Sequence, residues 1–231
     1  MNINQEIRQH LEKRKAESIA DFLQIKNVHP LFVEIFSELK HINHEEVKKQ
    51  FTDELITNCR DYWMSDEDGY DPNEKVKVLL FEYDNYRAKD AMAMAYGIVG
   101  EGFRIELMSY DFGYDYDFTS SMESNYGVTL TTLSPLAKLG DDIPKEYEKV
   151  DFYGEKGFRD LNDAYLYTTY LILHDAISDF VKNESFQALS KEPILHIMIG
   201  EHDCGNEQPL WYFYENEDVL KKAIEEQGES D

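Results

Sequence analysis

Apolar positions in the first sixty residues recur at helical spacing. Ile3, Ile7 and Leu11 form a stripe that resumes at Ile19, Phe22 and Leu23; Leu31, Phe32, Ile35, Phe36 and Leu39 form a second; Val47, Phe51, Leu55 and Cys59 form a third. Pro30 suits the first turn of the middle helix, where no intrahelical acceptor waits for its missing N–H. Asn43, with Glu46 three residues on, has the spacing of a capping box for the third. Three amphipathic helices are therefore predicted over residues 1–64.

Residues 65–74 are acidic and rich in turn formers, and beyond them the apolar period changes from 3.6 to 2. This is the best internal boundary. Val76, Val78 and Leu80 predict a strand to about Tyr83. Met92, Met94, Tyr96 and Ile98 alternate with Ala91, Ala93, Ala95 and Gly97. Past Gly100-Glu101-Gly102, Phe103, Ile105 and Leu107 alternate with Arg104, Glu106 and Met108, so these two runs are predicted to pair as a hairpin. Val128 to Leu133 reads as a weaker strand and 134–159 as loop. Residues 161–182 read as a long helix with a wide apolar face, Ile194 to Ile199 and Leu210 to Tyr214 as strands, and Glu217 to Gln227 as a short acidic helix. The expected class is α+β: an N-terminal helical layer, then a mostly antiparallel sheet with one long buried helix packed on it. Residues 1–64 form the helical segment and 65–231 an acidic α+β domain, with one continuous domain over 1–231 as the alternative division.

Charge changes the picture more than length does. The 231 residues carry 23 Lys and Arg against 47 Asp and Glu, a formal net charge of −24. Residues 1–64 contribute −2, residues 65–160 contribute −11 and residues 161–231 contribute −11. Such a field repels nucleic-acid phosphates and anionic lipid, so neither nucleic acid nor membrane is an expected partner. A basic protein is. No run approaches the roughly 18 apolar residues of a membrane span, and Met1 to Arg14 is too polar for a signal peptide. Two cysteines outside any CxxC pair suit a reducing compartment, so a cytoplasmic location is expected.

The most unusual segment runs from Tyr110 to Thr119. As a strand it would place Tyr110, Phe112, Tyr114, Tyr116 and Phe118 on one face and Asp111, Gly113, Asp115 and Asp117 on the other. Three carboxylates in a row repel one another, and a cation or a basic partner would relieve that repulsion. Hard divalent ions such as Mg²⁺ or Ca²⁺ fit these oxygen ligands better than zinc does. Asp115, Asp117 and Thr119 resemble the DxDx[TV] pattern of haloacid-dehalogenase-like phosphotransferases, and Lys138 with Gly140, Asp141 and Asp142 is similar to that family's later motifs. The resemblance, confined to those residues, implies a nucleophilic Asp115 and an acid–base Asp117 beside Mg²⁺. Residues Leu139 to Tyr147 resemble the opening of the SMI1/KNR4-like domain often used by toxin-immunity proteins, over about nine residues.

Other groupings carry less. Asp111-Phe112-Gly113 spells a kinase triplet without the glycine loop or lysine that chemistry needs. Asp66, Asp68 and Gly69 fall short of a calcium loop because Met64 and Lys75 occupy its first and last ligand positions. His41 and His44 sit in an inter-helix turn, and His174 falls on the apolar face of its helix, where a buried hydrogen-bonded histidine is expected ahead of a general base. Cys204 and His202 could share a strand face as a nucleophile pair, but the neighbouring acids raise a thiol pKa. The reading therefore leans away from catalysis. It favours a non-enzymatic acidic binding protein for a basic partner, for example a toxin-neutralising or inhibitor-type protein, acting through Asp111, Tyr114, Asp115, Tyr116, Asp117 and Trp211 without a cofactor. A hydrolase or phosphotransferase dependent on Mg²⁺ or Ca²⁺ is the alternative.

Overall fold

The computed structural model describes residues 2–100, 102–111, 113, 116–202 and 204–228. The three predicted N-terminal helices form as α1 (Ile3–Gln24), α2 (Pro30–Glu38) and α3 (His44–Asn58). Each begins with a side chain that accepts from an otherwise orphaned N–H: Asn2, His29 and Asn43 in turn. A π-turn over Cys59–Trp63 then carries the chain to the sheet.

The strands are β1 (Val76–Tyr83), β2 (Met92–Val99), β3 (Asp117–Phe118), β4 (Asn125–Thr129), β5 (Lys191–Glu201) and β6 (Gln208–Tyr214). Their order is β3-β2-β1-β5-β6, with β4 also pairing β2. All pairs are antiparallel except the central β1–β5 pair. A parallel pair needs a long crossover, and here that crossover contains α4 (Phe158–Phe180), the long helix predicted over 161–182. The short α5 (Glu184–Ala188) follows, and α6 (Glu217–Gly228) ends the described chain. The α+β class is as expected. Buried residues of α1, α2 and α3 join those of the sheet and α4 in one apolar cluster, and none of the described helices is long and apolar enough to cross a membrane.

The predicted hairpin between 92–98 and 103–108 does not form. Instead β2 pairs β1 on one side, and β4 and β3 share its other side, so no edge of β2 is left for a further strand. The 102–109 segment is irregular and leaves β2 through Gly100 and Gly102, both at positive φ. Similarly, among the described residues of the alternating 110–118 run, Asp117–Phe118 forms a strand and Tyr110 makes an isolated bridge to Glu207. The weak strand predicted at 128–133 sits earlier, at 125–129, and 131–139 coils instead into 3₁₀ turns.

Helix α4 lies against the sheet with 15 of its 23 residues buried, so its polar groups must find partners inside. His174 donates from Nδ1 to the Leu210 carbonyl at 2.7 Å, Tyr165 donates to the Ile35 carbonyl at 2.7 Å, the Tyr170 and Tyr83 hydroxyls meet at 2.7 Å, and Thr169 meets Thr132 at 2.6 Å. At its solvent margin Asp175 receives Arg8 at 3.0 Å and His44 at 3.0 Å, while Asp179 receives Lys48 at 2.6 Å, tying α1 and α3 to α4.

On β6 and β4, backbone groups at the strand edge are taken up by side chains of the helical segments. On β6, the Asn4 amide accepts from the Tyr212 N–H at 2.8 Å and donates to the Tyr212 carbonyl at 2.9 Å, in the manner of another strand. On β4, Trp63 donates to Tyr126, Asn58 to Gly127 and Gln50 to Thr129, while the Thr129 N–H donates to Glu54. Gly127 is required there, because a Cβ would lie 2.2 Å from the Ala93 carbonyl oxygen. Exposed edges invite strand addition; these are closed.

Two predictions follow from this packing. Asn4→Leu strands the Tyr212 donor and acceptor, so urea unfolding should show a loss of about 1–3 kcal/mol, with concentration-dependent association in sedimentation velocity. An unchanged unfolding midpoint and sedimentation profile would contradict the edge-closing role. Burial also lowers the pKa of His174, and burial with Lys77 nearby lowers that of His196 to about 4. Both are neutral in the fold and take up protons on unfolding, so their contribution is complete above about pH 6.5 and declines as pH falls toward the folded values. For His196 alone the loss is on the order of 2 kcal/mol at pH 5. Proton NMR should show the His196 C2–H holding its neutral-form shift at pH 5.5, and the His174 midpoint displaced below the ordinary value; seven ordinary titrations near pH 6.5 would refute it.

Candidate functional site on the open face of the sheet

β2 presents its side chains unequally. Ala93, Ala95 and Gly97 face the helices, where small residues admit close packing; a Cβ on Gly97 would meet Thr119 Oγ1 at 2.6 Å. Met92, Met94, Tyr96 and Ile98 therefore project from the opposite face. The register places Glu82 beside Met94, Leu80 beside Tyr96 and Val78 beside Ile98 on β1, with Tyr126 of β4 beside Met94 and Phe118 of β3 beside Ile98.

Part of this face is covered. Phe103, Tyr110 and Tyr116, carried by the irregular connection after β2, pack on Val78, Leu80, Ile98 and Met198. The remainder is open: Met92 is 41% exposed, Phe118 39%, Tyr126 51% and the neighbouring Tyr62 38%, with Met94 and Tyr96 half-buried between them. Tyr62 and Tyr126 have ring centroids 4.7 Å apart, and Phe118 lies 5.5 Å from both Tyr96 and Tyr116. The rings thus form two groups, Tyr62 with Tyr126 and Phe118 with Tyr96 and Tyr116, and the register sets Met94 beside Tyr126 and two residues from Tyr96 on the same face, so that together they make a band of aromatic and methionine side chains.

Carboxylates accompany the band. Glu82, half-buried in the same row as Met94, meets His202 Nδ1 at 2.9 Å. Asp117 is exposed on the edge strand, adjacent to Phe118 in sequence but on the other face, and Asp61, next to Tyr62, pairs with Arg60 at 2.5 and 2.6 Å. Asp84, Asp90 and Glu123 are exposed in the adjoining loops. Flat apolar groups with an acidic surround suit a ligand that is itself apolar and cationic.

The residues singled out from sequence are distributed around this arrangement. Tyr116 packs on the covered part of the face, whereas Asp117 is exposed on the edge strand at the position paired with Val99, so its side chain leaves β3 on the side opposite to Phe118. Asp111 is exposed near Gly205 and accepts from the Gly113 N–H at 2.7 Å. Tyr114 and Asp115 lie outside the described residues. Trp211 lies on the other side of the sheet, 5.1 Å from the His174 ring, and does not converge with the 111–117 segment. Lys138 is bound to Glu34 and Glu38 at 2.6 and 2.7 Å, joining the 3₁₀ segment to α2. Among the described residues no three His, Cys, Asp or Glu side chains come together as metal ligands. The band residues Met92, Met94, Tyr96, Tyr126 and Tyr62 were missed; their signal was the small–large alternation of β2, which marks which face the helices take.

A second, smaller concavity of about 150 Å³ opens where β1 and β5 end, lined among others by Tyr83, Tyr170, Asp163, Glu201 and Cys204. Burial raises the pKa of Asp163, of Glu201 and of both tyrosines. The hydroxyl pair is thus neutral and serves to close the core. His202 is turned to Glu82, and Cys204 is exposed.

Comparisons with protein-family models, with curated proteins and with solved structures found no match to this chain. The fold and its open face therefore define the protein only as an α+β chain whose mixed sheet is covered by helices on one side and by an irregular segment on part of the other.

The thiols provide a check on this geometry. Cys59 is buried and its pKa is pushed up to about 12, whereas Cys204 is exposed. A thiol-reactive disulfide reagent at pH 8 should modify one cysteine promptly and the second only on unfolding, and Cys204→Ser should abolish the fast phase. Two fast equivalents would contradict the placement of Cys59.

Proposed function

We propose that the protein is a non-enzymatic binding protein that recognises a basic protein partner through the open face of its sheet, as a toxin-neutralising or inhibitor-type protein would. The observation that carries this reading is the exposed band of Met92, Phe118, Tyr126 and Tyr62, with acids around it, in a chain of net charge −24. Single exposed apolar residues are ordinary, whereas contiguous ones rimmed by polar groups mark interaction surfaces. Aromatic anchors supply affinity in such interfaces, and a long-range negative field speeds and orients approach of a cationic partner. Asp117, on the edge strand β3, adds to the negative field of the chain.

The test uses a basic amphipathic helical peptide of lysine and leucine as probe. Phe118→Ser/Tyr126→Ser should weaken binding at least about tenfold, or about 1.4 kcal/mol, with an unchanged circular dichroism spectrum, because neither side chain is buried. Asp117→Lys should slow association and flatten its salt dependence. Equal affinity in the aromatic double variant, with binding governed by salt alone, would show a diffuse acidic surface and would sink the proposal.

A further inference from the structure

The end of the same face where β1 and β5 begin has the opposite character. Two adjoining cavities of about 710 and about 640 Å³ share Lys77, Ile194, Ala223 and Glu226 and so form one groove, bounded by the start of β1, the 102–105 segment and α6. Among the described residues its cations are Lys75, Lys77, Arg104 and Lys222, and its acids are Glu192 and Glu226. The local balance is positive in a strongly negative protein. Lys222 pairs with Glu226 at 3.3 Å. Lys75 and Lys77 enter no ion pair among the described residues; Lys77 is held by the Gly100 carbonyl at 2.9 Å and lies 5.7 Å from the Phe103 ring centroid, an arrangement that fixes its ammonium without neutralising it.

The floor carries an independent observation. His196 lines the groove, is only 3% exposed, and its Nδ1 is buried with no hydrogen-bond partner. Buried polar atoms are nearly always paired, so an unpaired one at a cavity calls for a ligand group. Its ring stands between Phe103, at 6.1 Å, and Tyr212, at 5.0 Å, while Ile194 and Ile105 supply apolar surface beside it. Lysines at the mouth, apolar walls and an unpaired imidazole at the base match a flat molecule with a charge at one end.

We propose that this groove binds a small organic anion with a planar apolar body, its charge on Lys75 and Lys77 and its body over Ile194 and His196. The site is independent of the partner-binding face proposed above: it uses none of Met92, Phe118, Tyr126 or Tyr62.

The experiment titrates the full chain with 2-naphthoate and, separately, with inorganic pyrophosphate, following the histidine ring signals by ¹H–¹⁵N and ¹H–¹³C NMR. Saturable naphthoate binding that moves the His196 ring signals is expected, with affinity lowered at least about tenfold in Lys75→Glu/Lys77→Glu. Lys75→Glu alone, at an exposed position, should lower it in the same direction and guards against misfolding of the double variant. Pyrophosphate, which lacks the apolar body, should bind more weakly. Naphthoate binding that leaves His196 unmoved, binding indifferent to both variants, or pyrophosphate binding as tight as naphthoate would each overturn the proposal, the last by reducing the groove to a plain cationic patch.

Discussion

The structure depends on the burial of α4 against the centre of the sheet. A helix enclosed to this degree gains the hydrophobic contribution of Leu173, Ile177 and Phe180, each fully buried and worth roughly 1.5–3 kcal/mol. It must also bring or find a partner for each polar group it takes inside. His174, Tyr165, Tyr170 and Thr169 meet that demand through hydrogen-bond partners on β6, α2, β1 and the 3₁₀ segment. The same four bonds fix where those elements lie. The position of α4 thus sets the helix-covered side of the sheet, and the parallel β1–β5 pair at its centre follows from the crossover that contains α4.

What remains of the sheet is dictated by that choice. Its outer strands are closed by Asn4 on one side and by Gln50, Glu54, Asn58 and Trp63 on the other, so no ladder group at these positions is offered to another chain. The side chains on the face the helices do not cover are what the sheet still presents. There the irregular connection after β2 covers the middle with Phe103, Tyr110 and Tyr116 and leaves two regions of opposite chemistry: an aromatic, methionine-rich and acidic band on β2, β3 and β4, and a cationic groove beside α6.

Much of the fold was legible in the sequence. Helical spacing located α1 to α4 because each buries a continuous stripe, and β1, β5 and β6 announced themselves by apolar runs bounded by turn residues. The failures have a common physical origin. Phe103, Ile105 and Leu107 alternate like a strand, yet their neighbour β2 had no free edge, a fact of pairing that local pattern does not encode. For the site, the sequence showed acids and aromatics interleaved at 110–118 but not which would meet in space: Tyr116 went inward, Trp211 went to the other side of the sheet, and the exposed rings came from Tyr62 and Tyr126, far apart in the chain. His196 was invisible as a site residue because its significance lies in an unmade hydrogen bond.

The central claim is that the band on β2 to β4 is where a basic partner sits. The chain has seven methionines. On this face Met92 and Met94 stand at the band, while Met122 and Met198 are fully buried. Methyl-labelled methionine spectra, recorded as a lysine-rich amphipathic peptide is added, read the contact directly. The account predicts saturable shifts or broadening at the Met92 and Met94 methyls with Met122 and Met198 unmoved; peptide binding that leaves Met92 and Met94 unperturbed would contradict it.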